Sequence, residues 1–242
     1  MALPRLDRGV KITFLGHSCF RLASSQGTVI IVDPWIRGNP QAGALIEEMG
    51  KLDFILVTHG HGDHLGDALE LAQRSGAMVV AMPEICHYLE QKGLHSGKAL
   101  GMNKGGTVGI ADLRVTMVHA LHSSSIADNG QLLYGGEAAG FVMRFDNGFT
   151  AYHAGDTAVF SDLRIIGDLY HPEVAMLPIG SHYVMGPDEA TYACELLKPR
   201  YVIPMHFGTF PVLTGTPERF EDLMQRLPEV AVVVLKPGET IE

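Results

Sequence analysis

The sequence predicts an α/β fold in which strands and helices form two similar halves. Apolar runs of strand length alternate with amphipathic segments of helical length along the chain. The 242 residues are 46% hydrophobic, which is enough to bury the core of two sheets. We find no internal repeat or low-complexity tract, and a unit of this size needs no second domain. We therefore expect one domain spanning residues 1–242.

The individual elements follow from the periodicity and from the turn residues between the apolar runs. Strands are predicted at 10–15, 28–32, 53–57, 77–82, 113–118, 140–145, 149–153, 174–178, 201–205 and 231–235. Helices are predicted at 41–50, 65–75, 83–92, 161–168, 187–197 and 217–227. The longest irregular stretch, Ser123 to Gly140, predicts a mobile lid, because loops of that length usually have a function.

One segment contains four side chains of types that can bind metal ions. His59, His61, Asp63 and His64 lie within six residues, directly after a predicted strand. In an extended segment His59 and His61 point the same way, so both imidazoles can bind one ion. Gly62 loosens the backbone, which lets Asp63 and His64 turn toward a second ion. Two ions about 3.5–4 Å apart can hold a bridging hydroxide and polarise a carbonyl or phosphoryl oxygen, so the segment predicts a binuclear hydrolytic site.

The pattern His-x-His-x-Asp-His after a buried strand resembles the signature of the metallo-β-lactamase superfamily. The resemblance implies an αββα sandwich with the metal ions at one edge. It also implies polar residues at the ends of other strands, and these occur in order along nearly the whole chain. They are Asp33, the segment His59–His64, His119 or His122, Asp156 and His206.

Further segments indicate which group within this superfamily the chain resembles. The chain is similar to a group of small bacterial and archaeal metal-dependent hydrolases related to the ascorbate-6-phosphate lactonase branch. The segments that carry this similarity are Phe14–Phe20, His122–Ser124, Gly155–Thr157, Leu177–Gly180 and Met205–Pro211.

The resemblance implies a role for each candidate ligand. His59, His61 and His122 would bind the first ion, Asp63, His64 and His206 the second, and Asp156 would bridge the two. Nitrogen and oxygen ligands of this kind suit Zn²⁺ best and also accept Mn²⁺, Fe²⁺ or Ni²⁺. Asp33 is expected to hold a ligand histidine rather than a metal ion, because ligating imidazoles donate their free N–H to such a group.

Histidine is more abundant than the site requires, with 12 in the chain. His119 and His122 compete for one ligand position, and the position before Ser-Ser favours His122. His17 follows a glycine at a strand end and is expected to line the pocket, where it could contact substrate or transfer a proton together with Asp63; the alternative is a hydrogen-bonded structural histidine. His153 is predicted to be a satisfied interior residue.

The remaining predictions concern the surroundings of the site. His182 lies on a rim loop, where substrate contact and plain exposure are both open, and His87, His95 and His171 are predicted to be surface residues. The pocket walls are expected to come from Ser123–Gly140, Gly180–Gly186 and Phe207–Thr214.

Charge and composition limit the partners. The formal net charge of −9 and the lack of a Lys/Arg cluster argue against extended nucleic-acid binding. Two divalent ions would outweigh Asp63, Asp156 and a hydroxide by one positive charge, so the predicted partner is a small molecule that can be anionic. The sequence does not determine the oligomeric state, and a homo-oligomer is one possibility.

The sequence also bears on location and redox state. No run approaches 18 apolar residues and the first ten residues have no apolar segment, so we expect neither a membrane span nor a signal peptide, and a cytoplasmic protein. The three cysteines, Cys19, Cys86 and Cys194, are scattered and odd in number, which predicts reduced thiols, with Cys19 buried in a strand.

Three functional hypotheses follow. The first is a metal-dependent hydrolase that uses a metal-bridging hydroxide to cleave a small lactone or carboxylic ester, with or without a phosphate group. The second is a phosphodiesterase with the same binuclear site. The third is a non-hydrolytic role, either oxygen reduction or metal holding. Against the third, diiron reductases have Glu where this chain has His61, and the expected ligands are all present.

Overall fold

The structure is a computed structural model that describes residues 5–6, 8–44 and 46–242. Within these residues the strands form two seven-stranded sheets and one two-stranded hairpin. Apolar side chains from both large sheets belong to one continuous core, and helices pack on the sheets, which gives the αββα sandwich that the sequence predicted.

The strands of the first sheet are β1 (Lys11–Gly16), β2 (Cys19–Ala23), β3 (Val29–Val32), β4 (Phe54–Leu56), β5 (Met78–Ala81), β6 (Ala99–Gly101) and β16 (Thr240–Ile241). Those of the second are β7 (Thr107–Ile110), β8 (Leu113–His119), β11 (Ala139–Phe145), β12 (Thr150–His153), β13 (Val174–Pro178), β14 (Tyr201–Met205) and β15 (Ala231–Val232). The hairpin consists of β9 (Ser125–Asp128) and β10 (Gln131–Tyr134). The helices are α1 (Gly62–Leu65), α2 (Ala68–Ser75), α3 (Pro83–Gln91), α4 (Leu163–Tyr170), α5 (Pro187–Leu197) and α6 (Pro217–Met224).

The two sheets repeat one arrangement. The first has the order β16-β1-β2-β3-β4-β5-β6, and the second has the order β15-β14-β13-β12-β11-β8-β7. Each combines antiparallel strands with a parallel run, β3 to β6 in the first sheet and β12 to β15 in the second. The predicted pair of similar halves is therefore confirmed in the sheet topology.

The central strands explain why the apolar runs were easy to recognise. Every residue of β3, β13 and β14 is buried, because parallel strands between helices and a facing sheet have no solvent side. Phe14 and Phe20 of neighbouring strands pack with ring centroids 5.0 Å apart in this core. Burying one such aromatic side chain contributes about 2 kcal/mol or more.

The predicted helix at 41–50 is wrong. In the described part of this segment the only helical turn is a 3₁₀ helix, Ile46–Glu48. Gly43 explains the difference: its N–H donates to the carbonyl of Leu15 (3.0 Å), and a Cβ there would lie 2.3 Å from the backbone nitrogen of Gly238. Close packing against two other segments holds this part of the chain in turns and bends and overrides its helical pattern.

The predicted helix at 65–75 is divided into α1 and α2. Gly66 separates them, with φ of 39° and with so little space that a Cβ would lie 2.5 Å from the carbonyl oxygen of Pro34. The first helix thus begins earlier than predicted, at Gly62, and includes the side chains of Asp63 and His64.

The stretch Ser123 to Gly140 is not irregular, because it contains the β9–β10 hairpin. Asn129 and Gly130 form its turn with φ of 48° and 78°. Positive φ at both central residues is the type I′ geometry that Asn-Gly favours, so the sequence carried the signal for a hairpin. The predicted irregular course of this stretch is therefore wrong, and its role as a mobile lid stays a prediction.

Several short strands were also missed: β2, β6, β7 and β16. The three cysteines are free and buried, and Cys19 lies in β2, as predicted. Among the described residues we find no helix with both the length and the apolar character that a bilayer crossing requires.

Candidate metal centre

The candidate site residues follow the carboxyl ends of strands from both sheets. His17 follows β1, Asp33 follows β3, His59 follows β4, Asp156 lies three residues after β12, and His206 follows β14. In sheets with parallel strands, the loops at the carboxyl ends form the ligand-binding crevice. The fold therefore brings residues that are far apart in sequence to one edge.

The backbone at this edge is strained. His17, Asp33 and His206 have φ of 57°, 49° and 55°, a left-handed conformation that residues other than glycine rarely adopt. The backbone N–H of His206 donates to the carbonyl of His17 at 2.8 Å, which connects the two sheets across the site. Strain of this kind costs about 1–3 kcal/mol per residue and concentrates at functional sites.

The first group of donors contains His59, His61 and His122, whose ligand atoms lie within 4.8 Å of one another. Nε2 of His59 is 3.0 Å from Nδ1 of His61, close to the spacing of about 3.3 Å expected for two nitrogens on one tetrahedral zinc ion. Burial lowers the pKa of all three imidazoles, well below the usual value for His59. The neutral imidazole is the form that binds metal ions.

The second group contains Asp63, His64 and His206 together with His17, again with ligand atoms within 4.8 Å. Nε2 of His206 lies 4.0 Å from Oδ2 of Asp63. The short helix α1 carries Asp63 and His64, so the two side chains enter the site from one rigid turn.

Asp156 lies between the two groups. Its Oδ2 is 3.0 Å from Nε2 of His206, 3.6 Å from Nε2 of His122 and 4.0 Å from Nε2 of His59. Its Oδ1 is 3.2 Å from Nε2 of His64. Burial opposes the charge of Asp156, but His206 and His64 outweigh that effect and hold its pKa well below the usual range.

The donor set fits metal ions because buried donors are left without ordinary partners. Within the described residues, Nε2 of His64, Oδ1 of Asp156 and Nδ1 of His206 are buried and make no hydrogen bond of ordinary geometry, although the first two atoms lie 3.2 Å apart. An unpaired buried polar atom is costly, and a bound cation is one way to satisfy it. Burial would lower the pKa of His64, but Asp156 and Asp33 raise it well above the usual value, so metal binding at Nε2 would displace a proton.

Asp33 determines which nitrogen of two histidines faces the site. Its Oδ2 lies 2.8 Å from Nδ1 of His64, which leaves Nε2 of that ring for a metal ion. The same carboxylate accepts the N–H and the hydroxyl of Thr58, at 2.8 and 2.7 Å. The Thr58 hydroxyl donates its proton to Asp33, so it can only accept a hydrogen bond from Nδ1–H of His59 (3.0 Å). Nε2 of His59 then carries no proton, and its lone pair can bind a metal ion. The predicted role of Asp33 as a support for a ligand histidine matches these contacts.

His17 has partners on both ring nitrogens. Nδ1 lies 2.7 Å from the hydroxyl of Thr209, and Nε2 lies 3.2 Å from Oδ2 of Asp63. Burial lowers the pKa of His17 to about 4. Burial also opposes the charge of Asp63, but the bond from His17 and the nearby His64 outweigh it and lower the pKa of Asp63. A neutral His17 beside an ionised Asp63 must donate from Nε2, so the Thr209 hydroxyl donates to Nδ1 at 2.7 Å in preference to the carbonyl of Phe207 at 3.3 Å.

The structure separates the two histidines that competed for one position. His122 lies in the first donor group, whereas Nδ1 of His119 lies 3.0 Å from Nζ of Lys104 and its ring packs edge-on against Phe160. His153 is the satisfied interior residue that was predicted: Nε2 donates to the carbonyl of Ser18 (2.9 Å) and Nδ1 accepts from Gly155 (3.1 Å).

The other histidines lie on the surface. His182 is exposed and packs against Tyr183 on the rim, and His87, His95 and His171 are exposed as predicted.

A cavity of about 730 Å³ opens over the donor groups. Its walls include residues from all three predicted wall segments, and also Trp35, which was not predicted. His17 was expected to line the pocket, but it is fully buried behind Trp35 and Asp63 and contacts both. Thr58 and Thr209 were missed as well, because a hydroxyl that orients a histidine leaves no local pattern. The lining residues are Trp35, His61, Gly62, Asp63, His122, Ser123, Asp156, Tyr183, His206, Phe210, Pro211 and Val212.

The family model for the Beta-lactamase superfamily domain matches residues 28–207, which include most of these site residues. A UPF0173 metal-dependent hydrolase from Koribacter versatilis is 51% identical over 233 residues, covering 96% of this chain and 98% of the relative. A second, from Rubrobacter xylanophilus, is 49% identical over 235 residues, covering 96% of each chain.

The chain belongs to the UPF0173 metal-dependent hydrolases of the metallo-β-lactamase superfamily. The solved structure of Igni18, a metallo hydrolase from the archaeon Ignicoccus hospitalis, shares the fold. It superposes with a TM-score of 0.85 at 38% identity and covers 96% of this chain and 97% of its own. The superfamily resemblance predicted from the His59–His64 segment is confirmed, and the protein is a metal-dependent hydrolase of the metallo-β-lactamase fold.

Proposed function

We propose that this metal-dependent hydrolase is binuclear and cleaves a small lactone or carboxylic ester. The observation that carries the proposal is the position of Asp156, whose two carboxylate oxygens face donors of both groups at 3.0–4.0 Å. A carboxylate between two clusters of imidazoles is the arrangement expected of a group that bridges two ions.

His59, His61 and His122 would hold one ion, Asp63, His64 and His206 the other, and Asp156 would contact both. When bound, two divalent ions supply a hydroxide nucleophile at neutral pH and a Lewis acid for the substrate carbonyl. Nitrogen-rich sites with a few carboxylates suit Zn²⁺, so we propose zinc as the resident metal.

His17 and Asp63 would handle the proton. The Nε2–H of His17 points to Asp63, whose side chain is partly exposed to the cavity. Oδ2 of Asp63, which reaches the cavity, would take the proton released on attack and pass it to the leaving alkoxide, while the buried ring of His17 keeps its own proton on Nε2 and holds Asp63 in position. Thr209 keeps the ring in the orientation that this transfer requires.

The cavity lining favours a carboxylic ester over a phosphodiester. The lining residues belong to the described part of the chain and include no Lys or Arg. A phosphodiester keeps a negative charge that usually calls for a cationic side chain in addition to metal ions. An uncharged lactone or ester has no such requirement.

The test combines metal analysis with two substrate classes. Protein reconstituted with zinc is assayed on a lactone series and on an activated phosphodiester, with bound metal counted by elemental analysis. We expect two ions per chain and turnover of lactones. The variant Asp156→Ala should lose activity and at least one ion, whereas Asp146→Ala, at an exposed position, should retain both.

Other outcomes would overturn specific parts of the proposal. Turnover of the phosphodiester alone would assign the protein to the phosphodiesterases. No turnover of either class with two ions bound would favour the non-hydrolytic role. Normal turnover by Asp156→Ala with full metal content would exclude the bridging role of Asp156.

A further inference from the structure

One side of the cavity is formed by apolar side chains that the proposed hydrolytic chemistry does not use. Donor residues form part of the lining, and a further part, called the wall here, consists of Trp35, Tyr183, Phe210, Pro211 and Val212. Tyr183 is 57% exposed and Val212 is 42% exposed. Large apolar side chains left open to solvent beside a catalytic centre are typical of a ligand-binding surface.

The wall has an ordered arrangement. The rings of Trp35 and Phe210 are stacked, with centroids 5.6 Å apart and an angle of 18° between their planes. The ring of His17 meets both edge-on, with centroids 5.0 Å from Trp35 and 5.6 Å from Phe210. Because His17 also contacts Asp63, the apolar wall is connected directly to the donor groups.

The loops that hold the metal-binding residues also hold the wall. Trp35 comes two residues after Asp33, and its N–H donates to the Asp33 carbonyl at 2.8 Å. Phe210 comes directly after Thr209, which bonds to His17, and four residues after His206. A surface fixed by the same contacts as the donors can position a substrate relative to them.

The wall also lacks charge. Its five members carry no ionisable group apart from the phenol of Tyr183, and no Lys or Arg is among the described residues that line the cavity. A second anionic group of a substrate, such as a distant phosphate or carboxylate, would find no cation there. Apolar surface, by contrast, gains about 25 cal/mol for each Å² that is removed from water.

We infer that the wall formed by Trp35, Tyr183, Phe210, Pro211 and Val212 is a subsite for a hydrocarbon group of the substrate. The substrate class is then an ester or lactone with an alkyl or aryl substituent and no phosphate on that substituent. This inference rests on the proposed function for the scissile bond, but the subsite itself can be tested by binding alone.

Trp35 provides the measurement, because it is the only tryptophan of the chain. The metal-loaded protein is titrated with acetate, butyrate, hexanoate and octanoate while tryptophan fluorescence is recorded. These carboxylates resemble the product of ester cleavage. We expect the Kd to fall about threefold for each added methylene, in line with partial burial of the chain. Adipate, which has a second carboxylate at the far end of a six-carbon chain, should bind at least tenfold more weakly than hexanoate.

A variant of the wall and a matched control make the assignment specific. Val212→Asp places a carboxylate in the wall, so it should remove the dependence of the Kd on chain length. Ile165→Asp makes the same change at an apolar side chain of α4 that is 53% exposed and outside the cavity lining, so it should bind the series like the parent protein.

The outcomes separate the subsite from the proposed reaction. The p-nitrophenyl esters of the same acids are assayed in parallel, and kcat/KM should rise with chain length in the parent and not in Val212→Asp. Binding that strengthens with chain length without turnover of any ester would overturn the proposed function and support the subsite. Binding that does not change with chain length, or adipate that binds as tightly as hexanoate, would overturn the subsite.

Discussion

Oδ2 of Asp33 lies 2.8 Å from Nδ1 of His64, and both side chains are fully buried. The same oxygen accepts the hydroxyl of Thr58, which in turn contacts Nδ1 of His59. One carboxylate therefore sets the tautomer of two proposed ligands that belong to different donor groups. Its own backbone is held in the left-handed region, with φ of 49°.

Replacing Asp33 with Asn should weaken metal binding without removing a proposed ligand. The amide is a weaker acceptor and can present an N–H to His64, which would turn the proton of that ring toward the site. We expect metal affinity to fall about 10–100-fold, measured by competition with a chelator. Asp146→Asn, at an exposed position, serves as the control. Unchanged affinity in a folded Asp33→Asn protein would show that Asp33 does not support the ligands.

The assignment of His122 can be tested against His119. His122 lies within reach of His59 and His61, whereas His119 is held by Lys104 and Phe160 outside the donor groups. His122→Ala should lose one ion per chain and its activity, and His119→Ala should keep full metal content. Elemental analysis of the two purified variants decides the point, and loss of metal only in His119→Ala would reverse the assignment.

The parts of the molecule that the sequence predicted well are those with a strong local pattern. Strands such as β3 and β14 are buried on both faces, so their apolar runs are unbroken. The spacing of His59, His61, Asp63 and His64 likewise predicts that these side chains lie together, and the structure places them in the two donor groups. In both cases neighbouring residues are enough to specify the outcome.

The parts that were missed depend on distant segments. β16 has two residues, and it is a strand only because β1 pairs with it. The apparent helix at 41–50 fails because Gly43 packs against Gly238, almost two hundred residues away. Trp35 lines the site only because Phe210 stacks on it. No local pattern contains these contacts.

Thr209 should affect catalysis through the ring of His17. Its hydroxyl lies 2.7 Å from Nδ1, and with that bond the ring donates from Nε2 to Asp63. Thr209→Val keeps the shape of the side chain and removes the hydroxyl, so the ring can take the other tautomer. We expect kcat on a lactone to fall about 10–100-fold, with KM and metal content nearly unchanged. Thr209→Ser keeps the hydroxyl and should retain most of the activity. If Thr209→Val and Thr209→Ser turn over substrate equally fast, Thr209 does not act through the ring of His17.

Gly180 should control the position of His206 through packing alone. A Cβ at this residue would lie 2.0 Å from the carbonyl oxygen of His206, so Gly180→Ala must displace the backbone that carries a proposed ligand. We expect a loss of about 1–3 kcal/mol of unfolding free energy and weaker metal binding. Gly109→Ala is a suitable control, because a Cβ there meets nothing within 4 Å. Thermal melts with and without chelator measure both effects. The parent and Gly109→Ala should lose stability when the metal is removed. Gly180→Ala should lose much less stability, because it binds metal weakly. A Gly180→Ala protein that responds to the chelator like its parent would show that the displaced backbone leaves His206 in place.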